Sequence, residues 1–134
     1  MMAPFKPNGL SKEERICSRL LIERLFKGGE SKSLSSFPLR VVYLITDIHE
    51  HEPAVKMMVS VSKRHFKQAV KRNKVKRQIR ESYRLNKHLL VDAMSKLDGK
   101  QLDVSFIWLS DDIYLSQEVN LHMRNLLERI KEKL

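Results

Sequence analysis

Val55–Lys87 reads VKMMVSVSKRHFKQAVKRNKVKRQIRESYRLNK, and the change of period inside it decides the fold. Through Ser62, the residues Met57, Val59 and Val61 alternate with Lys56, Met58 and Ser60, the two-residue period of a strand with one covered face, so 55–62 is predicted to be a strand. From His65 to Leu97 no Pro or Gly interrupts, and Val75, Ile79, Tyr83, Leu90, Ala93 and Leu97 recur three to seven apart, which predicts a long helix over 65–97. The strand therefore feeds directly into a helix that carries most of the chain's excess charge. Lys63–Lys87 holds eleven Lys or Arg against one acid, Glu81, whereas the other 109 residues balance 15 basic with 15 acidic side chains. The whole formal charge of +10 thus sits in 25 residues. A neutral body with one cationic strip is the electrostatic footprint of a polyanion partner, because a merely solvated face carries acids interspersed with its bases.

Around the helix axis, at about 100° per residue with Arg72 at zero, Asn73, Lys76, Arg77, Arg80 and Arg84 fall between about 40° and 140°. Val75, Ile79, Tyr83 and Leu90 fall between about 300° and 20°, so the basic stripe adjoins the buried one and borders a groove where helix meets sheet. Guanidinium groups match phosphate oxygens with forked donors, Lys supplies mobile point charges, and Asn73 both donates and accepts at a sugar or base edge.

Outward from this stretch, Ser11-Lys12-Glu13-Glu14 has the capping-box pattern, followed by Ile16, Leu20, Leu21, Ile22, Leu25 and Phe26 and then by Gly28-Gly29, predicting a helix over 11–27. Ser31–Ser36 is a polar stretch with room for a short strand, and Pro38–Thr46 is rich in β-branched and aromatic residues and reads as a strand. Asp98-Gly99-Lys100 ends the long helix, Leu102–Leu109 is a further apolar strand, and Ser116–Lys133 is a helix with Val119, Met123, Leu126, Leu127 and Ile130 inward. The order α-β-β-(β)-α-β-α, with one apolar side per element, predicts an α+β two-layer sandwich in one domain spanning 1–134, with residues 1–10 flexible.

Several function classes are excluded or disfavoured. The longest apolar runs, such as Val41–Ile45, are too short to cross a bilayer, and MMAPFKPNGL lacks a signal-peptide core, so a chain neither exported nor membrane-spanning is expected. Cys17 is the single cysteine, which forbids an internal disulfide and fits a small buried apolar residue in a reducing, cytoplasmic setting. His49 and His51, among the acids of Asp47–Glu52, have no further ligands at a fixed spacing, and a polar loop between strands is the simpler reading. A self-sufficient nuclease needs clustered carboxylates or an acid/base pair, and the basic strip and its flank offer only His65, Glu81 and His88. No catalytic residue and no protein-bound metal are expected. Trp108 is read as core.

Met58–Arg84 resembles the signature region of the bacterial ribonuclease P protein subunit. In that family a strand ending in Ser-Lys leads into a helix bearing Ala-Val-x-Arg-Asn-x-x-Lys-Arg-x-x-Arg-Glu, here Ala69, Val70, Arg72, Asn73, Lys76, Arg77, Arg80 and Glu81. The likeness extends over most of the chain, through Leu25-Phe26-Lys27-Gly28, the strand with Tyr43, and the final strand and helix. One departure is Lys63-Arg64-His65-Phe66-Lys67-Gln68, where many members carry Lys-Lys-x-Gly-Asn; the missing Gly and the extra residue alter the strand-to-helix turn, while Lys67 keeps its charge.

The resemblance implies the fold of the second domain of ribosomal protein S5, with a left-handed β-α-β crossover against the usual right-handed rule. It also implies a protein subunit for a catalytic RNA that removes the 5′ leader of precursor tRNA, with the chemistry carried by the RNA and by Mg²⁺ bound to the RNA. The expected partners are that RNA and precursor tRNA, with no membrane and no required protein partner. RNA contacts are carried over to Lys63, Arg64, Lys67, Arg72, Asn73, Lys76, Arg77, Arg80 and Arg84. A cleft for the single-stranded leader is carried over to Ile22, Phe26 and Tyr43, whose aromatic members would stack on unpaired bases. The alternatives are a ribosomal or general RNA-binding protein with no catalytic RNA partner and, last, a basic-helix reader of duplex DNA, for which the adjoining buried stripe leaves little helix free to enter a groove.

Overall fold

The computed structural model of the chain describes residues 12–16, 19–48 and 52–134. Residues 1–11, Cys17, Ser18 and 49–51 lie outside the described residues. With them go the expectations of a flexible N-terminus, a cap at Ser11, a buried Cys17 and a plain polar loop at His49–His51.

A single turn of 3₁₀ helix, Lys12–Glu14, precedes α1 (Arg19–Lys27), β1 (Lys32–Ser36), β2 (Leu39–Asp47), β3 (Val55–Ser60), α2 (Ala69–Asn86), α3 (His88–Met94), β4 (Lys100–Trp108) and α4 (Ser116–Lys133). The four strands form one sheet in the order β1-β2-β4-β3. β2 runs antiparallel to β1 and β4, with Tyr43 opposite Val104, and β3 runs parallel to β4, with Met57 opposite Val104. The β3-α2-α3-β4 passage therefore joins parallel neighbours, as a β-α-β crossover does.

Alternation along the strands divides the sheet between two apolar clusters. Leu39, Val41 and Tyr43 of β2 and Leu102, Val104, Phe106 and Trp108 of β4 join Val75, Ile79 and Tyr83 of α2, Leu90 and Met94 of α3, and Val119, Met123, Leu126, Leu127 and Ile130 of α4. Tyr83 meets Phe106 with ring centroids 5.7 Å apart, and Trp108 stands edge-on to Tyr114 at 5.5 Å with its indole N–H donated to the Asp112 carbonyl. Trp108 is thus core, as read from the sequence. Val42 and Leu44 point the other way and pack with Ile16 and Leu25, so α1 covers part of the face opposite the layer that α2, α3 and α4 make with the sheet.

Two local expectations are corrected. The predicted helix over 11–27 is shorter: after the 3₁₀ turn, Arg15 pairs in parallel with Met57 and the Ile16 amide donates to the Met57 carbonyl at 2.8 Å, so the chain is extended there and α1 begins at Arg19. α1 ends as expected at the glycine pair, with Gly29 at φ 73°, a conformation that costs a residue without Cβ little. The predicted helix over 65–97 is instead α2 and α3, interrupted at Lys87. The segment 63–68 is a turn: the Ser62 carbonyl accepts from the His65 and Phe66 amides, the Ser62 hydroxyl accepts from the Arg64 amide, and Phe66 is buried.

Candidate nucleic-acid interface

Arg84, Arg80, Arg77 and Asn73 lie one turn apart on α2, and they converge with Arg15 and Glu81 around a hollow of about 380 Å³. The buried residues Val75, Ile79, Ser82, Tyr83 and Asn86 occupy the neighbouring arc of the same helix. A row of cations beside a buried stripe cannot turn away from the body of the protein, so the charges border a groove. Glu81 is held by Arg84 in a bidentate pair, and the hydrogen bond from Arg84 keeps the carboxyl below its usual pKa. The side chains of Arg15, Arg77 and Arg80 form no ion pair among the described residues.

Not every predicted contact residue stands in that hollow. Lys63, Arg64 and Lys67 are exposed on the turn before α2, and Lys76 is half-buried on the rim between the basic and buried arcs. Arg72 is committed elsewhere: one guanidinium nitrogen donates to the Phe66 carbonyl at 2.9 Å and to the Lys67 carbonyl at 2.8 Å. Arg72 thus satisfies two carbonyls of the turn that lacks the family's glycine, while Gln68 at the N-cap gives no side-chain acceptor to the first amides of α2. Lys87, counted in the cationic strip, is 1% exposed and paired with Glu14, and its charge does not reach the surface.

A second concavity lies on the α1 face of the sheet. Leu20, Leu21 and Arg24 from α1 face Thr46, Asp47, Glu52, Lys56 and Gln101 across about 420 Å³. Beneath it Asp103 is fully buried and accepts a hydrogen bond from the Thr46 hydroxyl at 3.1 Å, while its Oδ1 and the Ser105 hydroxyl have no hydrogen-bond partner among the described residues. Burial pushes the Asp103 carboxyl up to about 6, against the pull of the Thr46 hydrogen bond and of the Lys56 and Arg24 charges. Lys56 pairs with Glu52, and Lys100 with Asp47 at 2.7 Å, which closes the rim with ion pairs.

The three residues assigned to a leader cleft are not brought together. Phe26 is 45% exposed at the end of α1, and Ile22 is half-buried against the cluster of Leu25, Val42 and Leu44. Tyr43, only 3% exposed, lies in the core on the opposite face, and burial raises its hydroxyl pKa. A shift of one position along β2 reverses the side of the sheet, so Tyr43 offers no free ring face to a base stacked beside Phe26. The hollow on the α1 face is lined by Leu20, Leu21, Arg24, Lys56 and Gln101, among others, and by none of Ile22, Phe26 and Tyr43. Of the lining residues only Gln101 had a visible signal, in KQLDVSFIW, where it, Asp103 and Ser105 put a polar residue at every second place of what is a central strand. Among the described residues no group of three or more His, Cys, Asp or Glu is arranged to hold a metal ion.

An α+β sandwich with a guanidinium-lined groove along one helix and a separate mixed-polarity cleft across the sheet defines a small RNA-binding protein. The family model for ribonuclease P matches residues 10–131. The chain is 44% identical over 125 residues to the ribonuclease P protein component of Porphyromonas gingivalis, covering 91% of this chain and 86% of that protein, and 28% identical to that of Chlorobium phaeobacteroides, covering 94% and 93%. Its structure superposes on the RNase P protein of Thermotoga maritima with a TM-score of 0.64 at 25% identity, covering 87% of this chain and 96% of that one. The chain belongs to the ribonuclease P protein family. It is accordingly a protein subunit of an endoribonuclease ribonucleoprotein that acts in tRNA 5′ processing, with an RNA subunit as its partner.

Proposed function

We propose that the α2 groove docks on the catalytic RNA while the cleft between α1 and the sheet receives the single-stranded 5′ leader of precursor tRNA. The observation that carries this reading is the separation of two unlike concavities: one lined by guanidinium groups, of which Arg15, Arg77 and Arg80 form no ion pair among the described residues, the other by leucines, Thr46, Gln101 and charges held in ion pairs. The first suits the dense phosphates of a folded RNA, and the second suits unpaired bases with the exposed Phe26 ring near one end of α1. Lys63, Arg64, Lys67, Asn73, Lys76, Arg77, Arg80 and Arg84 are the proposed RNA contacts, with Arg72 acting through the turn it holds. Bringing RNA helices together crowds phosphates, and cations from the protein replace counterions there, so less Mg²⁺ is needed. The Mg²⁺ that activates water in this reading is held by the RNA, and the protein positions the substrate. No further protein subunit is required, and the setting is the reducing cytoplasm that suits a chain with one cysteine.

Single-turnover cleavage of precursor tRNA by a bacterial ribonuclease P RNA, at Mg²⁺ too low for the RNA alone, tests the proposal. Adding this chain is expected to accelerate cleavage and to favour precursor over mature tRNA in binding. Absence of stimulation would leave general RNA binding as the better account.

A further inference from the structure

We propose that Arg15 is a phosphate-binding residue of the RNA interface, and that the buried Glu14–Lys87 ion pair is the clasp that positions it there; this rests on the α2 groove being that interface. Arg15 belongs to no helix of the basic strip and stands 58 positions before Asn73 in the sequence, yet it lines the same hollow as Asn73, Arg77, Arg80 and Arg84. Its guanidinium forms no ion pair among the described residues, while the acid of the hollow, Glu81, is occupied by Arg84. Three unpaired guanidinium groups around one concavity repel one another and leave their forked donors unused. An anion with several oxygens meets both needs, and a phosphodiester is the anion that the partner RNA supplies.

The segment that delivers Arg15 is tied to the fold by backbone as well as by side chain. Arg15 donates its amide to the Lys12 carbonyl at 3.1 Å, and a single parallel bridge joins the segment to the edge of β3 at Met57. In extended chain successive side chains point to opposite sides, and here Glu14 and Ile16 turn inward while Arg15 turns out. Glu14 is 2% exposed and its carboxylate meets the Lys87 ammonium at 2.8 Å, across 73 positions of sequence and at the interruption between α2 and α3. Its charge also reaches the buried Tyr83 hydroxyl of α2, whose pKa it helps to raise after burial itself. A buried ion pair is a poor source of stability compared with an apolar pair of the same volume, but it is exacting about geometry, since each desolvated charge must keep its opposite charge within hydrogen-bond reach. Glu14 is therefore a positioning residue: it fixes the register of the segment against α2, and the next residue is thereby set opposite Arg77 and Arg80.

The test is binding of the full chain to a bacterial ribonuclease P RNA over a range of monovalent salt. Arg15→Ala is expected to reduce the log-log slope by about one and to weaken binding roughly eightfold near 0.1 M salt, with Arg15→Lys keeping most of the slope. Arg77→Ala serves as the reference for the groove. If Arg77→Ala lowers the slope and Arg15→Ala does not, the assignment of Arg15 is overturned while the interface stands; if neither does, the interface itself is wrong and both readings fall. Glu14→Gln tests the clasp. It is expected to weaken binding in the wild-type background and to add nothing once Arg15 is Ala, whereas equal losses in both backgrounds would reduce Glu14 to a structural role. Far-ultraviolet circular dichroism confirms folding of Glu14→Gln; should that variant not fold, Glu14→Met combined with Lys87→Met removes both charges, and full retention of the wild-type salt slope in it would overturn the clasp.

Discussion

Tyr43 and Phe26 show how the same aromatic chemistry takes different roles when one residue lies in a strand and the other at a helix end. Tyr43 shares the core with Val41, Phe106 and the α4 side chains, so Tyr43→Ala opens a cavity and is expected to cost about 3 kcal/mol or more, lowering Tm by roughly 10 °C. Any loss of RNA affinity should then be equal for precursor and mature tRNA. Phe26→Ala, at a half-exposed site, should leave Tm within about 3 °C and weaken precursor tRNA selectively; thermal melts beside binding to both RNAs distinguish the two. Asp103 is a second residue whose surroundings decide its behaviour. Desolvation raises its carboxyl from 3.8 to about 6, so the folded chain binds a proton there more tightly than the unfolded chain does. Stability from this group is fully present below pH 4 and is lost as pH rises through about 6, beyond which the penalty is constant. At about 1.4 kcal/mol per pH unit between the two values, the penalty is about 3 kcal/mol. Asp103→Asn keeps an acceptor for Thr46 and should be more stable than wild type at pH 8, with the advantage vanishing near pH 4. Chemical denaturation at both pH values checks this, and an equal difference at both would refute it.

At the level of elements, what the sequence made legible was whatever depended on near neighbours. α4 has five inward apolar residues at helical spacing and is observed over the predicted span, 116–133, and β2 and β4 lie within two residues of their expected ends. The misreadings have a distant partner in common. Ser11–Glu14 satisfies a local capping rule, but Glu14 turns inward to Lys87, and the segment after it pairs with β3 and does not continue as helix. The same contact falls where the predicted long helix divides, at a position with neither Pro nor Gly to announce it. Local pattern cannot report an ion pair between positions so far apart. The α2 stripe was legible because helix geometry alone places Asn73, Arg77, Arg80 and Arg84 together. Arg15 was not, because its place depends on an edge pairing. The α1-face cleft had a readable signal in the alternating polar residues of β4, which the apolar content of Leu102–Leu109 masked.

For the molecule as a whole, the decisive quantity is how much of the cationic strip faces RNA. Eleven basic residues in Lys63–Lys87 would, if all met phosphates, give a log-log salt slope of about −8 to −10. The structure removes several from that count: Lys87 is neutralised inside the protein, Arg84 shares its charge with Glu81, and Arg72 spends donors on the turn before α2. Lys71 and Lys74 lie on the arc of α2 away from the hollow. Lys63, Arg64, Lys67, Lys76, Arg77 and Arg80 of the strip then remain to meet phosphates, and Arg15 joins them, for a slope between about −5 and −6.5 at about 0.7 to 0.9 per contact. Filter or fluorescence binding to the catalytic RNA from 0.05 to about 0.5 M monovalent salt measures it directly. A slope near −9 would mean that the buried and paired cations are released on docking, and that the fold seen in the free protein rearranges against the RNA.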